Sequence, residues 1–181
     1  MNASAIRQMV VTALNENTDA GDRVFSPRDW ATSSDLYPVL LVQTPFDHKR
    51  AEGRGTPAFT TITTVRITGR VQEYDGETEN DGALKAELAL ETLREQVERA
   101  VINSYELTRT TQKYAEVRST INVDADGEAH MGQLIIEIDI EHYQGPEDFY
   151  PVVSHPLDGI DVRLKMPDGT VQPGVDINLQ E

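Results

Sequence analysis

The apolar positions fall into short, differently spaced groups along the chain. Ile6, Met9, Val10, Ala13 and Leu14 share one stripe of a 3.6-residue period, which predicts an opening helix. Asn2 or Ser4 can cap its start, and Asn15, Asn17 and Gly21 suit its end. Residues 22–35 read as loop with two large anchors, Phe25 and Trp30. Val39-Leu40-Leu41-Val42, bounded by Pro38 and Pro45, is short and unalternating, which predicts a central strand covered on both faces. Residues 46–57 are polar and glycine-bearing and read as a long mobile loop. From Phe59 to Val71 the period becomes two. Thr61, Thr63, Val65, Ile67 and Val71 fall on one face, and Thr60, Thr64, Arg66, Thr68 and Arg70 on a wetter one.

Residues 73–81, EYDGETEND, hold five carboxylates in nine positions and read as a solvated linker. A second helix is predicted from about Asp81, its cap. Its stripe is Ala86, Leu90, Leu93, Val97, Ala100 and Val101, and Glu95 and Arg99 are placed for an i, i+4 pair. Val117, Ser119, Ile121 and Val123 then alternate with polar residues, as do Leu134, Ile136, Ile138 and Ile140. Asp126-Gly127 between the two runs predicts a hairpin. The last 37 residues contain five of the nine prolines, so a continuous helix is not expected there. Ile160, Val162 and Leu164 alternate, and Pro167-Asp168-Gly169-Thr170 reads as a turn.

The predicted fold is therefore α+β. It has two layers, a mainly antiparallel sheet with two helices on one face, in the order α-β-β-α-β-β. Residues 1–144 form that domain, and 145–181 a Pro-rich arm or small hairpin. The other sheet face is then wet or buried against another subunit.

Charge changes the picture. Sixteen Lys and Arg against 31 Asp and Glu give −15 over 181 residues. Such a chain is a poor general binder of nucleic acid or anionic membrane. Cysteine is absent, which excludes disulfides, thiolate metal sites and a cysteine nucleophile. No apolar run approaches the roughly 18–20 residues that span a bilayer, and MNASAIRQMVV lacks the basic-then-apolar pattern of a signal peptide. An acidic intracellular domain is the expectation.

The candidate chemistry is sparse. His48, His130, His142 and His155 have no metal-ligand spacing and read as surface or boundary residues. The segment around Asp124-Ala125-Asp126-Gly127 has its glycine too early for a calcium loop. Glu137, Asp139 and Glu141 share a strand face, about 7 Å apart per step, too far apart for one small ion without further ligands. A solvated face, or one salt-bridged across a subunit boundary, is the stronger expectation. Nucleophile-elbow, Walker and dinucleotide-binding motifs are absent, so no catalytic residue, metal or cofactor is assigned and no enzyme is expected. The least ordinary feature is a cationic island, Lys49, Arg50 and Arg54, suited to an acidic partner surface or another copy of the chain.

Several stretches in order carry a likeness: AIRQMVVTAL, VFSPRDW, LYPVLLVQTP with its glycine-bearing polar loop, FTTITTVRITGRV, ALETLREQVERAV and EVRSTINVDADGEAHMGQLIIEIDIEHY. Over about residues 3–143 the chain resembles the tail terminator proteins of long-tailed bacteriophages, the group of the lambda tail terminator. HPLDGIDVRLKMPDG resembles the C-terminal extension of some phage and prophage versions. The resemblance implies a sheet flanked by two helices. It also implies a homohexameric ring that caps the finished tail tube, stops addition of tube protein and docks the head-neck connector while DNA passes through. The implied location is the virion's head-tail junction, after assembly in the host cytoplasm. The alternatives are another head-tail neck or completion adaptor, a metal-dependent hydrolase built on Glu137, Asp139 and Glu141, or a binding module of other specificity.

Overall fold

The structure, a computed structural model, describes residues 1–26, 36–55, 57–76, 81–126, 129–150, 159–172 and 174–178. It is α+β, with a mixed, mostly antiparallel five-stranded sheet. The chain forms two compact units, Met1–Phe149 and Tyr150–Glu181.

In the first unit the elements follow the order α1 (Ala3–Leu14), β1 (Val24–Phe25), β2 (Val39–Ala51), β3 (Phe59–Tyr74), α2 (Asp81–Ile102), α3 (Tyr105–Thr110), β4 (Lys113–Asp126) and β5 (Ala129–Gln144). The sheet order is β1-β2-β3-β5-β4. Only the two-residue β1 runs parallel to its neighbour, which is what makes the sheet mixed. Neither β1 nor α3 is anticipated by periodicity, because two and six residues are too short to show a period.

Register explains the core. Val42 pairs with Ile67, Ile67 with Ile136 and Ile136 with Ser119, so these positions share one face. On that face Leu40, Val42, Val65, Ile67, Val71, Leu134, Ile136, Ile138 and Ile140 are buried. The stripes of α1 (Ile6, Val10, Val11, Leu14) and α2 (Ala86, Leu90, Leu93, Val97, Val101), with Leu107 of α3, cover it in one apolar cluster. Two glycines set the close approach. A Cβ at Gly69 would meet Leu93 Cδ2 at 3.0 Å, and one at Gly132 would meet Leu90 Cδ1 and Val71 Cγ2, each at 2.7 Å.

Two bulges lie at one height. The register of β2 shifts between Gln43 and Phe46, and that of β4 between Tyr114 and Glu116. Both lie level with Thr64 and Asp139, which pair with each other on the continuous central strands. Pro45, which has no N–H to give a ladder, falls inside the β2 bulge. The strand therefore does not end at Pro45. Residues 46–51 pair with 59–64 as a continued hairpin, so the mobile loop expected over 46–57 shrinks to a turn.

Other local expectations change as well. Asn2 caps α1, its Oδ1 accepting the Ala5 N–H at 2.9 Å. Asp81 lies inside α2, and the carboxylate that accepts the Gly82 N–H, at 2.9 Å, is that of Asp75. The first turn of α2 thus takes its anion from the acidic segment read as linker. Glu95 and Arg99 make no ion pair, as exposed pairs on long side chains often do not. Trp30, His155 and the tip residues Gly127 and Glu128 lie outside the described residues. No helix among the described residues is long and apolar enough to cross a membrane.

In the second unit, β6 (Gly159–Asp161) pairs antiparallel with β9 (Asp176–Asn178), and β7 (Leu164–Lys165) with β8 (Val171–Gln172). The inner pair closes on the predicted Pro167–Thr170 turn. Gly169 adopts φ +88°, a conformation that favours glycine, and the Thr170 N–H donates to Asp168 Oδ1 at 2.9 Å.

Candidate functional site

The cationic island sits on the distal half of the β2–β3 hairpin, but its members do not act together. Lys49 and Arg50 are successive residues on β2, so they point to opposite faces. Lys49 lies on the helix-side face, where its Nζ donates to Gln144 Oε1 and lies 3.8 Å from Asp47 Oδ2. Arg50 is exposed on the other face and Arg54 is exposed in the turn. Among the described residues neither has an ion-pair partner.

Lys49 belongs to a polar layer where the apolar core stops. In β5 the core-facing positions run Leu134, Ile136, Ile138, Ile140, then His142 and Gln144. Thr61 Oγ1 donates to Gln144 Oε1 at 2.9 Å, and Thr63 Oγ1 to Asp47 Oδ1 at 2.7 Å. Gln144 Nε2 donates to the Met1 carbonyl at 2.6 Å, and the Met1 ammonium pairs with Asp148. That ammonium holds the Asp148 carboxyl below its ordinary pKa. His142 is 1% exposed and among the described residues its Nδ1 has no hydrogen-bond partner. Burial pushes its pKa down, against the Ile140 backbone and the pull of Asp47 and with the push of the Met1 ammonium and Lys49.

His130 is buried as well, its Nε2 3.1 Å from Asp75 Oδ1. The spacing predicts surface or boundary positions for both histidines; both are buried and occupy inward positions toward the ends of β5. The signal was present: continued alternation past Ile140 puts His142 and Gln144 on the apolar register. Asp47, Thr61 and Thr63 join them only through pairing between strands, which one strand's sequence does not display.

The opposite sheet face carries an ion-pair ladder within the chain. Arg66 donates from Nε and Nη2 to Glu137 Oε1, at 2.9 and 2.7 Å. Arg118 meets Glu116 at 2.9 Å and both Glu137 and Asp139 at 3.4 Å. Lys113 reaches Glu141 at 3.3 Å, and Thr64 donates to Asp139 at 2.6 Å. The Arg66 guanidinium leads in lowering the pKa of Glu137. Cations of β3 and β4 thus take up the three carboxylates considered for a metal; these ion pairs need no second subunit. No group of three or more His, Asp or Glu among the described residues is arranged to hold a metal ion. No protein-family model matches the chain, and no curated protein matches it.

Proposed function

We propose that the protein is a structural component of a long-tailed phage or prophage. In this reading six copies form a ring that caps the finished tail tube, stops its polymerisation and offers the surface on which the head-neck connector docks. The observation that carries it is the run of terminator-like segments, which fall in order on α1, β2, β3, α2, β4 and β5 of one unit. At the hairpin tip Arg50 and Arg54 are exposed and have no ion-pair partner among the described residues, which suits contact with another subunit or the tube. Each copy contributes −15, so a ring would repel the DNA backbone and let it pass without adhering. The finer architecture, two principal helices on one face and a Pro-rich C-terminal extension, belongs to the same proposal.

The test is tail length. Deleting the gene from the phage or prophage that carries it and imaging induced particles should give overlong, unjoined tubes beside filled, tailless heads. Tails of normal length without heads point instead to a neck adaptor. Normal infectious particles overturn both structural readings.

A further inference from the structure

β3 outruns β2 at the end opposite the hairpin tip. Pairing with β2 stops at Arg70, and among the described residues no strand pairs with Val71–Tyr74 on that side. A cavity of about 360 Å³ occupies the gap. It is lined by Val71 and Leu93, both buried, and by Tyr37 and Tyr74, the Tyr74 hydroxyl accepting from Gln72 Nε2 at 3.0 Å. Two acids, Asp19 and Glu73, stand at it; among the described residues neither makes an ion pair within 4.0 Å, and the Lys85 ammonium, paired with Asp81, acts on Glu73 from farther away. The nearby Arg23 guanidinium is spent on backbone, donating to the Pro38 carbonyl at 2.9 Å and the Asp19 carbonyl at 3.1 Å. Tyrosines, apolar side chains and two carboxylates lining one cavity together suit a guanidinium, whose plane can stack on tyrosine while its N–H groups meet the acids.

The same chain carries a matching guest. Arg54 lies between Gly53 and Gly55 in the turn, and a Cβ at either glycine would meet nothing within 4 Å. The arginine therefore sits in a narrow tip, flanked on both sides by residues without side chains. It cannot reach its own pocket. The 16 residues of β3 separate tip from pocket by about 50 Å, at roughly 3.3 Å per residue.

We infer that Arg54 of one copy enters the Tyr37–Tyr74 pocket of a second copy, with Arg50 meeting its acidic rim. The contact is heterologous, so it repeats head to tail and gives a closed ring or an open filament, not a two-fold dimer. It deepens the ring-forming reading above and rests on it for its purpose.

The absence of cysteine makes the test direct. In the double variant Gly53→Cys/Gln72→Cys the thiols lie beside the tip and the pocket while Arg50, Arg54, Asp19 and Glu73 stay in place. Oxidation of the full chain, purified over a range of concentrations and also in isolated tails, should give a ladder of covalent multimers on non-reducing gels. Each single variant should stop at dimer. Adding Arg54→Glu should cut the multimers about ten-fold or more, the scale of a lost charge-assisted pair. Adding Glu73→Arg to that should restore them, which a misfolded variant would not do. No ladder beyond dimer in either preparation, or a ladder indifferent to Arg54→Glu, overturns the contact. Overlong tubes on gene deletion with no ladder would refute the contact alone. A charge-dependent ladder with normal tails would keep the contact and refute the tube-capping reading.

Discussion

Adding one methyl group at Gly132 tests how the helix layer sits on the sheet. The new Cβ would lie 2.7 Å from Leu90 Cδ1 and 2.7 Å from Val71 Cγ2, with Leu90 Cγ at 3.2 Å. Packed carbons prefer roughly 3.5–4.0 Å, so the methyl is short of room by about 1 Å on two sides at once. Val71 is β-branched on a central strand and cannot swing away, and Leu90 is fully buried under α2. Overpacking of this kind costs about 1–3 kcal/mol. Against it stands the smaller conformational entropy lost by alanine, about 0.5–1 kcal/mol. The expected net effect of Gly132→Ala is destabilisation by about 1–2 kcal/mol. At Gly69 the nearest atoms are the ends of Leu93 and Leu40, at 3.0 and 3.3 Å. Those tips can give, so Gly69→Ala should fall within about 0.5 kcal/mol of the parent. Leu90→Ala alone should cost about 2–5 kcal/mol and, combined with Gly132→Ala, less than the sum, because the methyl enters the space the leucine leaves. Urea unfolding followed by far-ultraviolet circular dichroism measures all four. Gly132→Ala no more harmful than Gly69→Ala, or strict additivity with Leu90→Ala, would refute the packing described.

Two further predictions address the polar layer and the first helix. The pKa of His142 is lowered by burial, so the unfolded chain binds a proton more readily than the native one. Stability should therefore fall as the pH drops below about 6.5, by at most about 1.4 kcal/mol per pH unit from this residue. His142→Gln should flatten that slope while His48, His130 and His155 remain in both proteins, and equal slopes in parent and variant would exclude His142 as the source. Asn2→Ala removes the oxygen that accepts the Ala5 N–H and should cost about 1 kcal/mol, seen as a fall of a few degrees in Tm. A melting curve superimposable on the parent's would show that the cap contributes nothing.

The core was legible because it follows a single period within each element. The stripes of α1 and α2 and the inward rows of β3 and β5 are where periodicity placed them. What escaped were features that exist only between elements. The continuation of β2 past Pro45 depends on pairing with residues 59–64, and the composition of 46–57 resembles that of any loop. The carboxylate that accepts the Gly82 N–H in the first turn of α2 is that of Asp75, which lies outside the helix it serves. Lys49, Arg50 and Arg54 were legible as a basic cluster, but strand geometry decides that Lys49 faces Gln144 while Arg50 faces away. The three carboxylates of β5 announced a charged face; their neutralising cations, Arg66, Arg118 and Lys113, lie on neighbouring strands.

The paired bulges have an evolutionary consequence. On either side of them the flanking strands obey opposite parities: Leu40 and Val42 face the helices before the bulge in β2, and Asp47 and Lys49 after it. A one-residue deletion at Thr44–Pro45 would close the bulge and leave Lys49 inward and Arg50 outward, whereas one at His48, beyond the bulge, would turn Arg50 inward and Lys49 outward, in neither case moving a residue of the apolar core. The sheet is divided into a half under packing constraint and a half whose outward chemistry can be rewritten by insertion or deletion as readily as by substitution. A lineage could rewrite the chemistry of the tip in one step and keep its apolar core intact.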